Sequence, residues 1–143
     1  MTQTWFIWAV LSAVFAAATA ILAKVGISNI DSDFATLIRT VFILAILSLF
    51  VWQTNKWMPL KTISPKNWIF LFLSAFASGA SWVCYFRALK SGLASQVAPI
   101  DKMSLILVAI FAFVFLGERP APREWMGIAL IASGVLVFAL KKG

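Results

Sequence analysis

The stretch VAPIDKMSLILVAIFAFVFL, Val97 to Leu116, places an Asp and a Lys just after a proline and then runs apolar without a break from Leu105. Its second part, LILVAIFAFVF, is bulky on every side of a helix, so no face of it suits water. The rest of the chain is of the same kind: 62% of its 143 residues are hydrophobic and 12% are charged. Too few polar residues remain to cover a water-facing surface, and lipid must be the solvent for most of it. The net charge of +7 raises nucleic acid as a partner, but the basic residues are scattered between apolar runs and form no patch. Anchoring at a membrane surface explains the scatter, and no nucleic acid is expected. There is no His, and Cys84 is the one Cys. A disulfide within the chain, a metal centre, a thiol–imidazole catalyst and a cofactor are therefore not expected.

Working outward, five apolar segments predict an all-α, polytopic membrane protein with helices at residues 5–27, 34–53, 68–89, 94–116 and 125–140. At about 1.5 Å rise per residue, most of them reach the ~30 Å hydrocarbon thickness of a bilayer. The fifth is short, and Lys141 and Lys142 are expected to snorkel and complete it. Ala18-Thr19-Ala20 has the form of a signal-peptide cleavage site. No Lys or Arg precedes it and further spans come after it, so the first segment reads as a retained helix. The links are too short for a soluble domain, and residues 1–143 read as one five-helix domain. Ser32 or Asp33 is the expected N-cap of the second helix, and the prolines of GERPAPRE keep the fourth from running on.

A five-span chain puts its ends on opposite faces. The N-terminus, second link and fourth link share side A, with Lys56, Lys61, Lys66, Arg119 and Arg123. The first link, third link and C-terminus share side B, with Lys24, Arg87, Lys90, Lys141 and Lys142. Orientation follows an excess of Lys and Arg on the cytoplasmic side, and here the count is level. Either the count is too coarse, or the chain inserts both ways and supplies its own antiparallel partner, as inverted repeats do within longer transporters. Trp5, Trp8, Trp52, Trp57, Trp68 and Trp125 all fall at side A and form an interfacial belt there, whereas Trp82 lies toward side B.

Ionisable groups placed within the helices gather at side B: Lys24, Arg39, Arg87, Asp101 and Lys102. Such groups cost about 2.5–3.5 kcal/mol each at mid-membrane on insertion scales, and less near the surface. They read either as the lining of a water-filled vestibule or as interfacial side chains that snorkel. Pro99 has no N–H to give and leaves the Ser95 carbonyl free, so a broken fourth helix lining a cavity is one reading. The other makes Pro99 a first-turn residue, with Asp101 favouring the N-terminal dipole. Asp101 and Lys102 project about 100° apart, so Arg39 is the expected partner of Asp101. Trp82 and Tyr85 either contact a solute or pack in the core. Glu118, beside Arg119 and Arg123, is expected to form a loop salt bridge or a cap. Small residues recur at helical spacing, at Ser12, Ala16 and Ala20, at Ala75 and Gly79, and at Gly127 and Gly134, and predict close helix packing.

The stretch RALKSGLASQVAPIDKMSLILVAIFAFVFLGERPAPREWMGIALIASGVLVFALKK resembles the second half of an EamA domain of the drug/metabolite transporter superfamily, above all its short five-helix bacterial and archaeal members. The likeness is carried by Tyr85 through Leu89, by Pro99, by Leu116-Gly117-Glu118, and by Gly127 with Gly134. ILAKVGI and FATLIRT extend it over nearly the whole chain. The resemblance implies one half of a ten-helix bundle around a central cavity in a bacterial or archaeal cell membrane. It also implies an antiparallel homodimer, or a heterodimer with a sister five-helix chain, that carries a small-molecule substrate. Arg39, Pro99, Asp101, Lys102 and Lys24 are the candidate pathway residues, Trp82 and Tyr85 candidate substrate contacts, and Gly117 and Glu118 a structural motif. The alternative is a non-transporting subunit packed against a larger membrane partner. No catalytic set can be assembled from these residues, and an enzyme is not expected.

Overall fold

In the computed structural model, which describes residues 4–140, helices form at each predicted span and no strand occurs among the described residues. They are α1 (Thr4–Gly26), α2 (Ser32–Gln53), α3 (Pro65–Ser91), α4 (Ala94–Asp101), α5 (Ser104–Phe111) and α6 (Pro122–Leu140). A short 3₁₀ turn, Leu60–Thr62, lies in the link between α2 and α3. α4, α5 and the wider π-type turn Ala112–Leu116 together make the fourth span, so five segments are long and apolar enough to cross a membrane. Lys141 and Lys142, expected to snorkel, lie outside the described residues.

Helix ends account for most departures from the sequence reading. The N-cap of α2 is Asp31, one residue before the expected pair: its carboxylate accepts from the N–H groups of Asp33 and Phe34 at 2.9 and 3.0 Å. Asp at this position satisfies two of the four N–H groups that a helix start leaves open. α3 starts earlier than expected because Pro65 takes the first helical position while Ser64 Oγ accepts from Asn67 N–H. α6 likewise starts at Pro122, with Glu124 Oε2 accepting from Ala121 N–H at 2.7 Å. Its proline opens a helix, while the previous one has already ended at Leu116.

The fourth span breaks, though not where the proline alone would put the break. Pro99 lies inside α4, which begins at Ala94, so the first-turn reading of Pro99 is set aside. Regular helix ends at Asp101, and the chain tightens there. Lys102 N–H reaches Pro99 O at 3.1 Å, Met103 N–H reaches Ile100 O at 3.0 Å, and Leu105 N–H reaches Lys102 O at 3.0 Å. These three-residue steps replace four-residue ones, as in a 3₁₀ segment, which often marks a hinge. At the other end the helix widens instead, and Gly117 closes it in the left-handed region at φ +66.

The chain divides into two compact units, Met1–Ser91 and Gly92–Gly143. In the first, α1 and α2 each pack on α3. Contacts between the end of α1 and the end of α3, and between the start of α2 and the end of α3, make it an up-down-up bundle. Its core is Ala20, Ile27, Phe86 and Leu89. In the second unit α4 and α5 pack on α6 around Ala109 and Val135. Most large apolar side chains, Phe15, Phe72 and Phe115 among them, stand open to the surroundings, the pattern of a lipid-bathed surface. Of the small residues expected to pack closely, Ala20 is buried, whereas a Cβ on Gly79, Gly127 or Gly134 would meet no atom within 4 Å, so no neighbouring helix closes on those glycines within the described residues.

Gly117 is different, because its φ of +66 suits no ordinary side chain. Gly117→Ala is expected to lower stability by roughly 1–2 kcal/mol through left-handed strain, whereas Gly127→Ala is expected to be neutral. Thermal unfolding of the two variants in detergent checks this. Equal melting temperatures would show that the turn relaxes.

Candidate functional site

The three-helix unit ends, on the side where α1 and α3 finish, in a set of charges that hold one another's helix ends. Lys24, in the last turn of α1, donates to the carbonyl of Leu89 near the end of α3 at 2.5 Å. Lys90, in the last turn of α3, reaches back and donates to the carbonyls of Ile27, Ser28 and Ile30 at 2.6, 3.1 and 2.9 Å. Helix C-termini leave carbonyls without intrahelical donors, and a cation there satisfies both the hydrogen bond and the dipole. The exchange is reciprocal: each helix lends its terminal lysine to the end of the other. Ile27 and Leu89 beneath it are fully enclosed. Arg87 completes the set by gripping Asp33 at the start of α2 with two hydrogen bonds, Nε at 2.8 Å and Nη2 at 2.5 Å. That pair is open to solvent and orients the helices more than it stabilises them.

One layer deeper lies Arg39 of α2. Its guanidinium carbon stands 4.7 Å from the centre of the Trp82 ring and 5.5 Å from that of Phe86. Trp82 and Phe86 are one turn apart on α3, which offers the cation a two-ring wall, an attraction of about 2 kcal/mol when water is excluded. Within the first unit the partners of Arg39 are thus aromatic rings. Its Nη1 is buried and has no hydrogen-bond partner among the described residues. The guanidinium borders a groove of about 420 Å³ between α1 and α2, with Phe86 at its back. The α1 wall is the stripe Thr19, Leu22, Ala23 and Gly26, and the α2 wall carries Ile38, Phe42 and Ile46. Only Thr19 and Arg39 among the lining residues have polar side chains.

In the second unit Asp101 pairs with Lys102, Nζ to Oδ2 at 3.9 Å, both half exposed. The two side chains were expected to point apart, but the regular helix stops at Asp101, so the 100° step between helical neighbours no longer applies. Pro99 is half-buried one turn below, and Tyr85, in the first unit, is half-buried with its ring 6.4 Å from that of Phe86. Glu118 makes no ion pair among the described residues. Its backbone N–H, not its carboxylate, caps the preceding turn by donating to Ala112 O at 3.2 Å. The salt bridge expected with Arg119 or Arg123 is therefore replaced by a backbone cap that Gly117 makes possible.

Sequence reasoning missed the lysine exchange, although the signal was there. Lys24-Val25-Gly26 and Lys90-Ser91-Gly92 repeat one K-x-G pattern at two helix ends, and Lys near a C-terminus followed by Gly is an end-capping signature.

Residues 3–140 match the family model described as the EamA-like transporter family. The chain belongs to that family. It is 53% identical over 140 residues to a protein of Sinorhizobium sp described as an uncharacterized transporter in the cobO 3'region, covering 98% of this chain and 99% of that one. The uncharacterized transporter YxxF of Bacillus subtilis is 26% identical over 95% of this chain, which spans 42% of YxxF. A probable 4-amino-4-deoxy-L-arabinose-phosphoundecaprenol flippase subunit, ArnE of Salmonella paratyphi B, is 26% identical over 59% of this chain and 78% of its own length. No solved structure matches the chain significantly. The resemblance read from ILAKVGI through LGERP is thereby established across the chain, and with it a multi-pass membrane protein of a transporter family.

The lysine exchange makes a quantitative prediction. Lys90→Met strips a charged donor from three carbonyls and is expected to cost about 1–3 kcal/mol, while Lys90→Arg retains most of the stability. Melting temperatures of the purified variants measure it. Unchanged melting of Lys90→Met would show that water serves those carbonyls as well.

Proposed function

We propose that this EamA-family chain is one half of an alternating-access carrier for a small metabolite or drug in the cell membrane. The observation that carries the reading is the match of nearly the whole chain to a transporter family, in which the chain corresponds to less than half of a relative such as YxxF. A five-helix module of a larger transporter architecture requires a second module to enclose a pathway. The level Lys and Arg count on the two faces supports an antiparallel copy as that module. The likeness to a protein described as a flippase subunit supports a sister chain in the same place. In this reading Arg39, Asp101, Lys102 and Pro99 line the pathway, with Trp82 and Tyr85 beside it. Lys24, expected on the pathway, holds the end of the three-helix unit together with Lys90.

A second reading, a non-transporting subunit, draws on the same flippase-subunit likeness. Proteoliposomes holding the purified chain alone, loaded with a pH dye and challenged with a library of small metabolites, separate the two. A carrier gives solute-driven flux with the chain alone or with a five-helix sister, while silence in both leaves the subunit reading.

Asp101, a carboxylate beside a broken helix, is the proposed proton-coupling group. Asp101→Asn is expected to leave a folded assembly whose flux no longer depends on pH. A pH-dependent flux in that variant would remove Asp101 from the coupling. Reporter fusions at the C-terminus are expected on both faces of the membrane in similar amounts for a homodimer, and on one face for a heterodimer.

A further inference from the structure

We propose that the groove beside Arg39 binds an amphiphile with a single anionic head group, a phosphate or a carboxylate, set on the guanidinium, and an apolar body laid between α1 and α2. This deepens the carrier reading by naming a solute class for it, and it rests on that reading for its place in transport.

The chemistry of the groove selects this class by elimination. Arg39 is the one charged side chain on its lining, and no acidic residue stands among the lining residues. A cationic solute would meet an uncompensated positive charge. A purely apolar solute would seal the groove over a charge with no counter-ion on the lining, the arrangement that costs most when water is excluded. A small inorganic anion would balance that charge but leave the walls of Leu22, Ile38, Phe42 and Ile46 unfilled. A molecule with both features satisfies both.

The geometry adds orientation. Trp82 and Phe86 stand against the guanidinium, their ring centres 4.7 and 5.5 Å from its carbon. The rings do not neutralise its charge, and the planar fork of an arginine matches a carboxylate or phosphate with two parallel hydrogen bonds. The head group binds at the depth of Arg39, and the apolar body runs along the α2 stripe Ile38, Phe42 and Ile46, residues one turn apart on one face. The volume of about 420 Å³ lies within the range of small-molecule sites, roughly 300–1,000 Å³.

The test is equilibrium binding of radiolabelled dodecyl phosphate to the intact protein purified in an uncharged detergent. Saturable binding is expected for the wild type, at least tenfold weaker for Arg39→Gln, and largely retained in Arg39→Lys. Gly26→Leu keeps Arg39 but fills the groove, since a Cβ at Gly26 meets no atom within 4 Å, and is also expected to weaken binding tenfold or more. Dodecyltrimethylammonium and inorganic phosphate should not compete. Competition by indole-3-acetate would assign the site to soluble acids with an apolar body, and competition by dodecanoate alone would assign it to lipid-like acids. Both outcomes support the proposal.

Equal binding to wild type and Arg39→Gln, or competition by inorganic phosphate as effective as by dodecyl phosphate, overturns it. So does loss of a dimer in Gly26→Leu without loss of binding, which would make the groove a contact between copies. If the Arg39 and Gly26 variants do not fold, the wild-type competition series decides alone. Binding without solute flux would leave this inference standing and remove the carrier, and flux without binding would do the reverse.

Discussion

A helix that ends at a membrane surface presents its last carbonyls where few donors reach them, and this chain meets the problem by exchange. Lys24 serves the end of α3, and Lys90 serves the end of α1 and the loop beyond it. Neither helix can slide by a turn without giving up both sets of bonds, so the exchange fixes the axial register of α1 against α3. That register brings Ile27 and Leu89 together and seals them. It also determines the depth at which Phe86 and Trp82 stand, because they lie on the same helix as Lys90, one and two turns below. Arg39 on α2 finds its two-ring wall because α3 is held at that height.

The way Arg39 is accommodated changes the view of charge within the bundle. A carboxylate partner would have neutralised it and left an inert pair. Rings stabilise the cation without neutralising it, so its charge remains available to something else. The contrast with Arg87 is informative. Arg87, nearer the surface, is satisfied by both oxygens of Asp33, and its role ends at joining two helices. Position along the helix separates the two arginines: one fastens the unit, and the other keeps a donor in reserve.

Much of this was legible from residue types and spacing. The five spans, the interruption near Pro99 and the family likeness all come from hydropathy, the missing proline N–H and the spacing of motifs. Helix starts were misplaced by a few residues because an aspartate cap and two N-terminal prolines act outside the apolar window that defined each span. The contacts that Arg39 and Asp101 make within their own units were not legible. A sequence reader pairs charges by sign, whereas stacking on Trp82 and Phe86 depends on a helix register that no local pattern reveals. Glu118 misled for a related reason, since the useful atom there belongs to its backbone and the permissive residue is the glycine before it.

The wide turn at Ala112–Leu116 has a consequence for how this span can vary. A five-residue hydrogen-bond step is an α-helix that has absorbed one extra residue, and the turn sits just before the Gly117 elbow that would otherwise have to move with it. Each residue gained or lost in a regular helix rotates the chain beyond it by about 100°. Here the surplus is taken up locally, so the fourth span has one residue of slack. A chain that loses one residue there returns to regular helix without swinging α6 out of its place against α4 and α5.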